Sequence, residues 1–174
     1  MKKLISLVLA LAMALSMTAF AIPVMVDTTA DAAIECMYNL DIMRGDEGGF
    51  RPDDYLTRQE MFAIMYRLYE AVGAMDEDAQ NRWQMYAMAA GAYVGDMGTV
   101  DGWATPYAAY NWVSGIFVGD EDGNLNPHAN LSYLECATVL LRALGYSEAE
   151  LTAGGTWALN VLQYGEDNGL WEAI

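Results

Sequence analysis

Only one kind of reactive side chain is abundant in this chain. Asp and Glu number 24, against one histidine and two cysteines. Paired carboxylates about 5–9 Å apart can hydrolyse glycosides, but nothing in the spacing singles out one pair. His128 stands in a polar loop beside Pro127 and reads as a solvated residue rather than a general base. No nucleophile elbow, zinc-ligand spacing or phosphate loop occurs. The run Asp120-Glu121-Asp122-Gly123-Asn124-Leu125-Asn126 superficially resembles a calcium loop. Placing Gly123 at the sixth position puts Val118 first and Ala129 twelfth, and neither side chain can ligate. Catalysis is therefore not expected, no cofactor is implied, and weak divalent-cation binding by clustered carboxylates is the most that these residues suggest.

The informative spacing lies elsewhere. Gly45, Asp46, Gly48, Phe50, Pro52, Thr57 and Glu60 recur as Gly119, Asp120, Gly123, Leu125, Pro127, Ser132 and Glu135. Each copy reaches an Arg seven residues later, at Arg67 and Arg142. Thr57-x-x-Glu60 and Ser132-x-x-Glu135 are capping boxes, in which hydroxyl and carboxylate satisfy each other's backbone N–H groups at a helix start. A repeat of this kind points to helix, glycine-rich turn and capped helix used more than once, and to binding or anchoring rather than one catalytic cleft.

The helices that hold these turns follow from apolar periodicity. Ile34, Met37 and Tyr38 predict a helix over about 31–40. Met61, Ile64, Met65, Leu68 and Val72 predict one from Thr57 to a stop at Gly73. The second copy predicts a helix over 103–113, and another after Ser132 carrying Val139, Leu140, Ala143 and Leu144 to Gly145. A third unit opens at Trp157 and breaks off at Ile174; its apolar residues Trp157, Val161 and Leu162 would then lie exposed. Residues 78–90 read as helical and 91–102 as a loop.

Lys2 and Lys3, an apolar run from Leu4 to about Met17, and Ala19-Phe20-Ala21 predict a signal peptide cleaved after Ala21. The run is shorter than the ~20 residues a spanning helix needs. Removing it also removes both lysines, leaving six arginines against 24 acids, a formal −18. Such a surface argues against nucleic acid or anionic membrane as partners. Cys36 and Cys136 could form one disulfide, but apolar neighbours at helical spacing make both read as small core residues. The expected organisation is a signal peptide 1–21, a leader 22–30, a repeat 31–73, an acidic helical insert or linker 74–101, a repeat 102–146, and the start of a third at 147–174.

These motifs resemble the S-layer homology domain, whose units combine a helix, a Gly-Asp turn, Gly-x-Phe-x-Pro and a Thr-Arg-Ala-Glu-like helix start. Trp103-Ala104-Thr105-Pro106-Tyr107-Ala108-Ala109-Tyr110 and Leu141-Arg142-Ala143-Leu144-Gly145-Tyr146 are similar to the form common in Gram-positive anaerobes. The resemblance covers 31–73 and 102–146, and part of 156–171. It implies an all-α fold in which helix–loop–helix repeats pack as a partial pseudo-threefold bundle. It also implies export to the cell wall or surface and non-covalent attachment to secondary cell-wall polysaccharide, often pyruvylated. Arg58 is then the partner of a ligand carboxylate, a planar fork suited to two parallel N–H···O bonds. Asp46, Asp120, Trp103 and Trp157 are the other matching positions.

The second copy departs at one point: Tyr133 stands where the first has Arg58, so the cap is kept and the cation lost. Tyr133 could still offer a sugar an aromatic face. An acidic chain meeting an acidic polymer needs a locally positive groove or bridging Mg²⁺ or Ca²⁺. The alternative is a degenerate surface protein that acts through self-association or through S-layer or other surface proteins, without polysaccharide affinity.

Overall fold

The computed structural model describes residues 30–45, 49, 51, 53–75 and 82–171. The signal peptide, the leader up to residue 29, Asp46 and the start of the insert at 76–81 lie outside the described residues. Those described form seven α-helices and no extended strand: α1 (Ala30–Asn39), α2 (Arg58–Ala71), α3 (Trp83–Tyr93), α4 (Thr105–Val113), α5 (Tyr133–Ala143), α6 (Glu148–Leu151) and α7 (Trp157–Asp167). None is long and apolar enough to cross a membrane. The protein is all-α, as its periodicity predicts. By its internal packing the chain divides into two compact units, one of residues 34–132 and one whose described core is 133–171.

In the larger unit, α2 begins as the capping-box spacing requires. Thr57 is extended, its hydroxyl accepts from the Glu60 amide, and Glu60 Oε2 accepts from the Thr57 amide and hydroxyl, each at 2.7 Å. α2 and α3 both pack on α4. The α2 face that reaches the core carries Met61, Phe62 and Met65, while Ile64 is only half-buried. Phe62 meets Phe117 edge-on, with ring centroids 4.6 Å apart. Asn111, wholly buried on α4, donates to the carbonyls of Phe62 and Tyr107 at 2.9 and 2.8 Å, tying α4 to α2. Ile42 and Ile116, each three residues before a Gly-Asp pair, are both buried. Gly45 and Gly119 take positive φ of 69° and 85°, the left-handed conformation that favours glycine at these turns.

The insert differs from the sequence expectation. Its helix runs on to Tyr93, and Met97–Thr99 adds a turn of 3₁₀ helix. Val94, Met97 and Val100 are buried, so the 91–102 stretch contributes three side chains to the core. Its polar residues brace what surrounds it. Asp96 accepts from the amides of Leu125 and Asn126 at 2.8 and 2.6 Å, and Asp101 accepts from Gln59 Nε2 at 2.8 Å.

In the smaller unit α5 and α6 pack on α7 around buried Ala137, Leu141, Leu151 and Val161. The predicted exposed face of the third helix is thus corrected. Val161 is fully enclosed and Trp157 half-buried, because α7 docks on α5; Leu162, like Leu159 on the same helix, is exposed. α5 starts at Tyr133, directly after Ser132, with Glu135 in its first turn. Its buried side chains are Val139 and Leu141, while Leu140 is half-buried. Ser147 and Glu150 form a further capping box at the start of α6. Both cysteines are free. Cys136 is half-buried, and burial pushes its thiol up. Cys36 is exposed rather than core, since it falls between half-buried Ile34 and Met37 on the outward side of α1.

Candidate functional site

A groove of about 520 Å³ opens in the larger unit between the first Gly-Asp turn and α2. Met43, Leu56, Ile64 and Trp103 supply its apolar walls, and Arg44, Arg51, Arg67 and Glu60 its charged ones. Three cations thus converge in a chain of formal charge −16.

Each arginine is held differently. Arg44, in the turn after α1, makes a two-pronged pair with Asp41, its Nε donating to Oδ1 at 2.6 Å. That guanidinium holds the Asp41 carboxyl below the usual carboxylate range, mainly through the hydrogen bond itself. Arg51 donates to Asp54 and to Glu60 Oε1, both at 3.1 Å. Arg67, on α2, lies over the Tyr107 ring with its guanidinium carbon 5.6 Å from the centroid. One nitrogen reaches the Ile42 carbonyl at 3.4 Å, and its Nε is buried without a hydrogen-bond partner among the described residues. Tyr107 in turn tilts against Trp103, their centroids 6.4 Å apart, and Trp103 keeps 50% of its surface exposed. The groove can therefore present guanidinium donors to an anion and an indole face to an apolar ring surface.

Of the polysaccharide-binding candidates within the described residues, only Trp103 lines this groove; the motif residues Gly45, Glu60 and Arg67 line it as well. Arg58 is 9% exposed; its Nε donates to the Leu125 carbonyl at 2.6 Å and its guanidinium lies 5.5 Å from the Phe117 ring centroid. Asp120 is taken up by its own turn. Its Oδ1 accepts from the amides of Asp122 and Asn124 at 3.0 and 2.9 Å, and its Oδ2 from the Asn126 side chain at 2.6 Å. Those bonds, the one from Asn124 foremost, hold its carboxyl below the ordinary range. Tyr133 and Trp157 belong to the smaller unit. Tyr133 is 53% exposed and packs beside Trp171 at 5.0 Å, whereas the Trp157 indole N–H donates to Thr138 Oγ1 at 3.1 Å. Sequence reasoning missed Arg44 and Arg51, which immediately precede Gly45 and Pro52 of the first turn motif; a count of cations per copy would have found them. No cluster of three or more His, Cys, Asp or Glu side chains able to hold a metal occurs among the described residues.

Residues 25–62, running from before α1 into the start of α2, match the S-layer homology domain. Over 108 residues the chain is 31% identical to an amylopullulanase of Thermoanaerobacterium thermosulfurigenes. That similarity spans 62% of this chain and 5% of the enzyme. No solved structure matches the chain. The turn, the capped α2 and the two matches agree in pointing to the S-layer homology domain, to whose model residues 25–62 are similar.

Proposed function

We propose that this protein is a non-catalytic, exported module that attaches non-covalently to secondary cell-wall polysaccharide, gripping an acidic sugar in the groove of Arg44, Arg51, Arg67 and Trp103. S-layer homology domains are cell-wall anchoring modules, which gives the reading its setting. The observation that carries it is the convergence of three guanidiniums and a half-exposed indole in an otherwise acidic chain. A carboxylate-bearing sugar, a pyruvylated one included, offers a planar anion to the guanidiniums and a hydrophobic ring face to Trp103. The groove also answers the charge problem. Salt screens the acidic surface beyond about 8 Å at physiological ionic strength, while the arginines act at contact distance.

The test is sedimentation with wall sacculi before and after the secondary polysaccharide is stripped. Binding lost on stripping, and lost again in Arg67→Ala with intact sacculi, is the expected outcome. One charge-assisted hydrogen bond contributes about 1.5–3 kcal/mol, so each arginine removed should weaken binding roughly ten- to hundredfold. Equal binding to both preparations would sink the reading. Loss of binding in chelator alone would transfer the charge compensation to bridging Mg²⁺ or Ca²⁺. The rival role, capture of other surface proteins, would draw on Leu159 and Leu162, which stay exposed on α7.

A further inference from the structure

We infer that Glu60 is a positioning residue for the groove as well as a helix cap, an inference that rests on the anchoring reading above. In a capping box the carboxylate has one task, to accept the N-cap amide. Here the two oxygens of Glu60 are divided between tasks. Oε2 accepts both the amide and the hydroxyl of Thr57 at 2.7 Å. Oε1 accepts from Arg51 Nη2 at 3.1 Å, and both residues line the groove. The first bond set fixes the carboxylate rigidly to the start of α2, so the second transfers that rigidity to a guanidinium standing on an irregular loop.

The placement matters because Arg51 has no regular element of its own. It stands between Phe50 and Pro52 of the turn motif, outside any helix, and its side chain is about half exposed. An arginine loses substantial rotamer freedom on binding unless something holds it beforehand. Asp54, three residues away and likewise outside any helix, pairs with Nη1. Glu60 is the anchor on a helix. It leaves Arg51 oriented across the groove mouth and partly neutralised, so a ligand anion meets a preformed donor.

The cap and the positioning role separate by mutation. Glu60→Gln keeps an oxygen for the Thr57 amide, since Gln also closes a capping box, but removes the charge that holds Arg51. Thr57→Ala removes the cap hydroxyl and leaves the Glu60 carboxylate with Arg51. With polysaccharide-bearing sacculi, Glu60→Gln is expected to weaken binding about three- to tenfold with little change in melting temperature. Thr57→Ala is expected to lower the melting temperature by roughly 4 °C and keep wild-type binding. Nitrogen-15 NMR of the Arg51 guanidinium gives a readout independent of the wall: restricted rotation in wild type and Thr57→Ala, and faster rotation in Glu60→Gln. Wild-type binding by a folded Glu60→Gln, or unchanged guanidinium rotation, would overturn the positioning role. Absence of binding by the wild-type chain would overturn the anchoring reading and the binding consequence together, while the NMR comparison still decides whether Glu60 orients Arg51.

Discussion

The two copies of the turn motif share their glycines and capping-box residue types but differ in their cations. Aligned on their Gly-Asp pairs and prolines, Arg44, Arg51, Arg58 and Arg67 of the first copy stand opposite Val118, Asn126, Tyr133 and Arg142 of the second. Four of the six arginines fall in the first copy and one in the second. Even the shared position differs. Arg67 keeps a buried Nε unbonded beside the groove, whereas Arg142 gives both Nε and Nη2 to Glu148 Oε2, at 3.1 and 2.6 Å. The glycines and the Thr/Ser-x-x-Glu spacing thus recur in both copies. Arg44 and Arg51 are additions to the first copy, and cations without a counterpart in the second are where a ligand is best sought.

The sharpest way to break this contrast is to remove the groove's charge. Arg44→Ala, Arg51→Ala and Arg67→Ala together should abolish sedimentation with sacculi, a loss of more than about a thousandfold if the three act independently. Arg142→Ala should bind as wild type. A comparable loss in Arg142→Ala would show that the second copy shares the work.

Arg58 and Tyr133 sharpen the contrast on stability. Arg58→Leu leaves the Leu125 carbonyl without its side-chain donor, and should cost about 1–3 kcal/mol in denaturant unfolding. Tyr133→Leu, at a largely exposed site, should stay within about 0.5 kcal/mol. If Arg58→Leu loses wall binding while its unfolding midpoint holds, Arg58 returns to the ligand side of the ledger. Within the smaller unit, a Cβ on Gly165 would run into the Trp171 indole. Gly165→Ala should therefore displace Trp171 and cost about 1–2 kcal/mol, visible as a change in tryptophan emission.

The smallest effect concerns acid. Folding lowers the Asp120 pKa, so the ionised carboxylate stabilises the second turn above its unfolded value of 3.8, and this contribution fades as pH falls through the lower folded value. Asp120→Asn should be less stable than wild type near neutral pH, with the gap narrowing as pH falls below 3.8 in thermal melts. A gap that stays constant with pH would mean the turn needs the oxygen acceptor and not the charge.

The legible parts of this molecule were local ones. The Thr57–Glu60 spacing announced a capping box because both partners lie within one turn, and glycine at 45 and 119 announced turns because few other residues adopt positive φ there. The groove was not legible, since Arg44, Arg51, Arg67 and Trp103 come from two turns, a helix and the approach to α4, with no common period. The burial of Arg58 was hidden for a similar reason: its acceptor lies 67 residues along the chain. The insert read as a linker because Asp96 and Asp101 look like surface charge until the amides and the glutamine they serve are seen.

The start of α2 has a bearing on how the chain acquires its structure. The first amides of a helix have no partner within it. Here the Arg58 amide goes to the Ala129 carbonyl and the Gln59 amide to Pro127, both at 2.9 Å, while Leu131 N–H returns to the Leu56 carbonyl at 2.7 Å. Thr57 and Asn130 complete the seam as an antiparallel bridge. The first copy of the motif is thus closed by backbone from the end of the second copy's turn. Such long-range closure is entropically costly and slow to form. A nascent or threaded chain can complete this seam only once residue 131 is available. The unit of folding is consequently offset from the unit of sequence repetition, and a fragment cut at Gly73 would carry the first motif whole yet lack the partners that finish its helix.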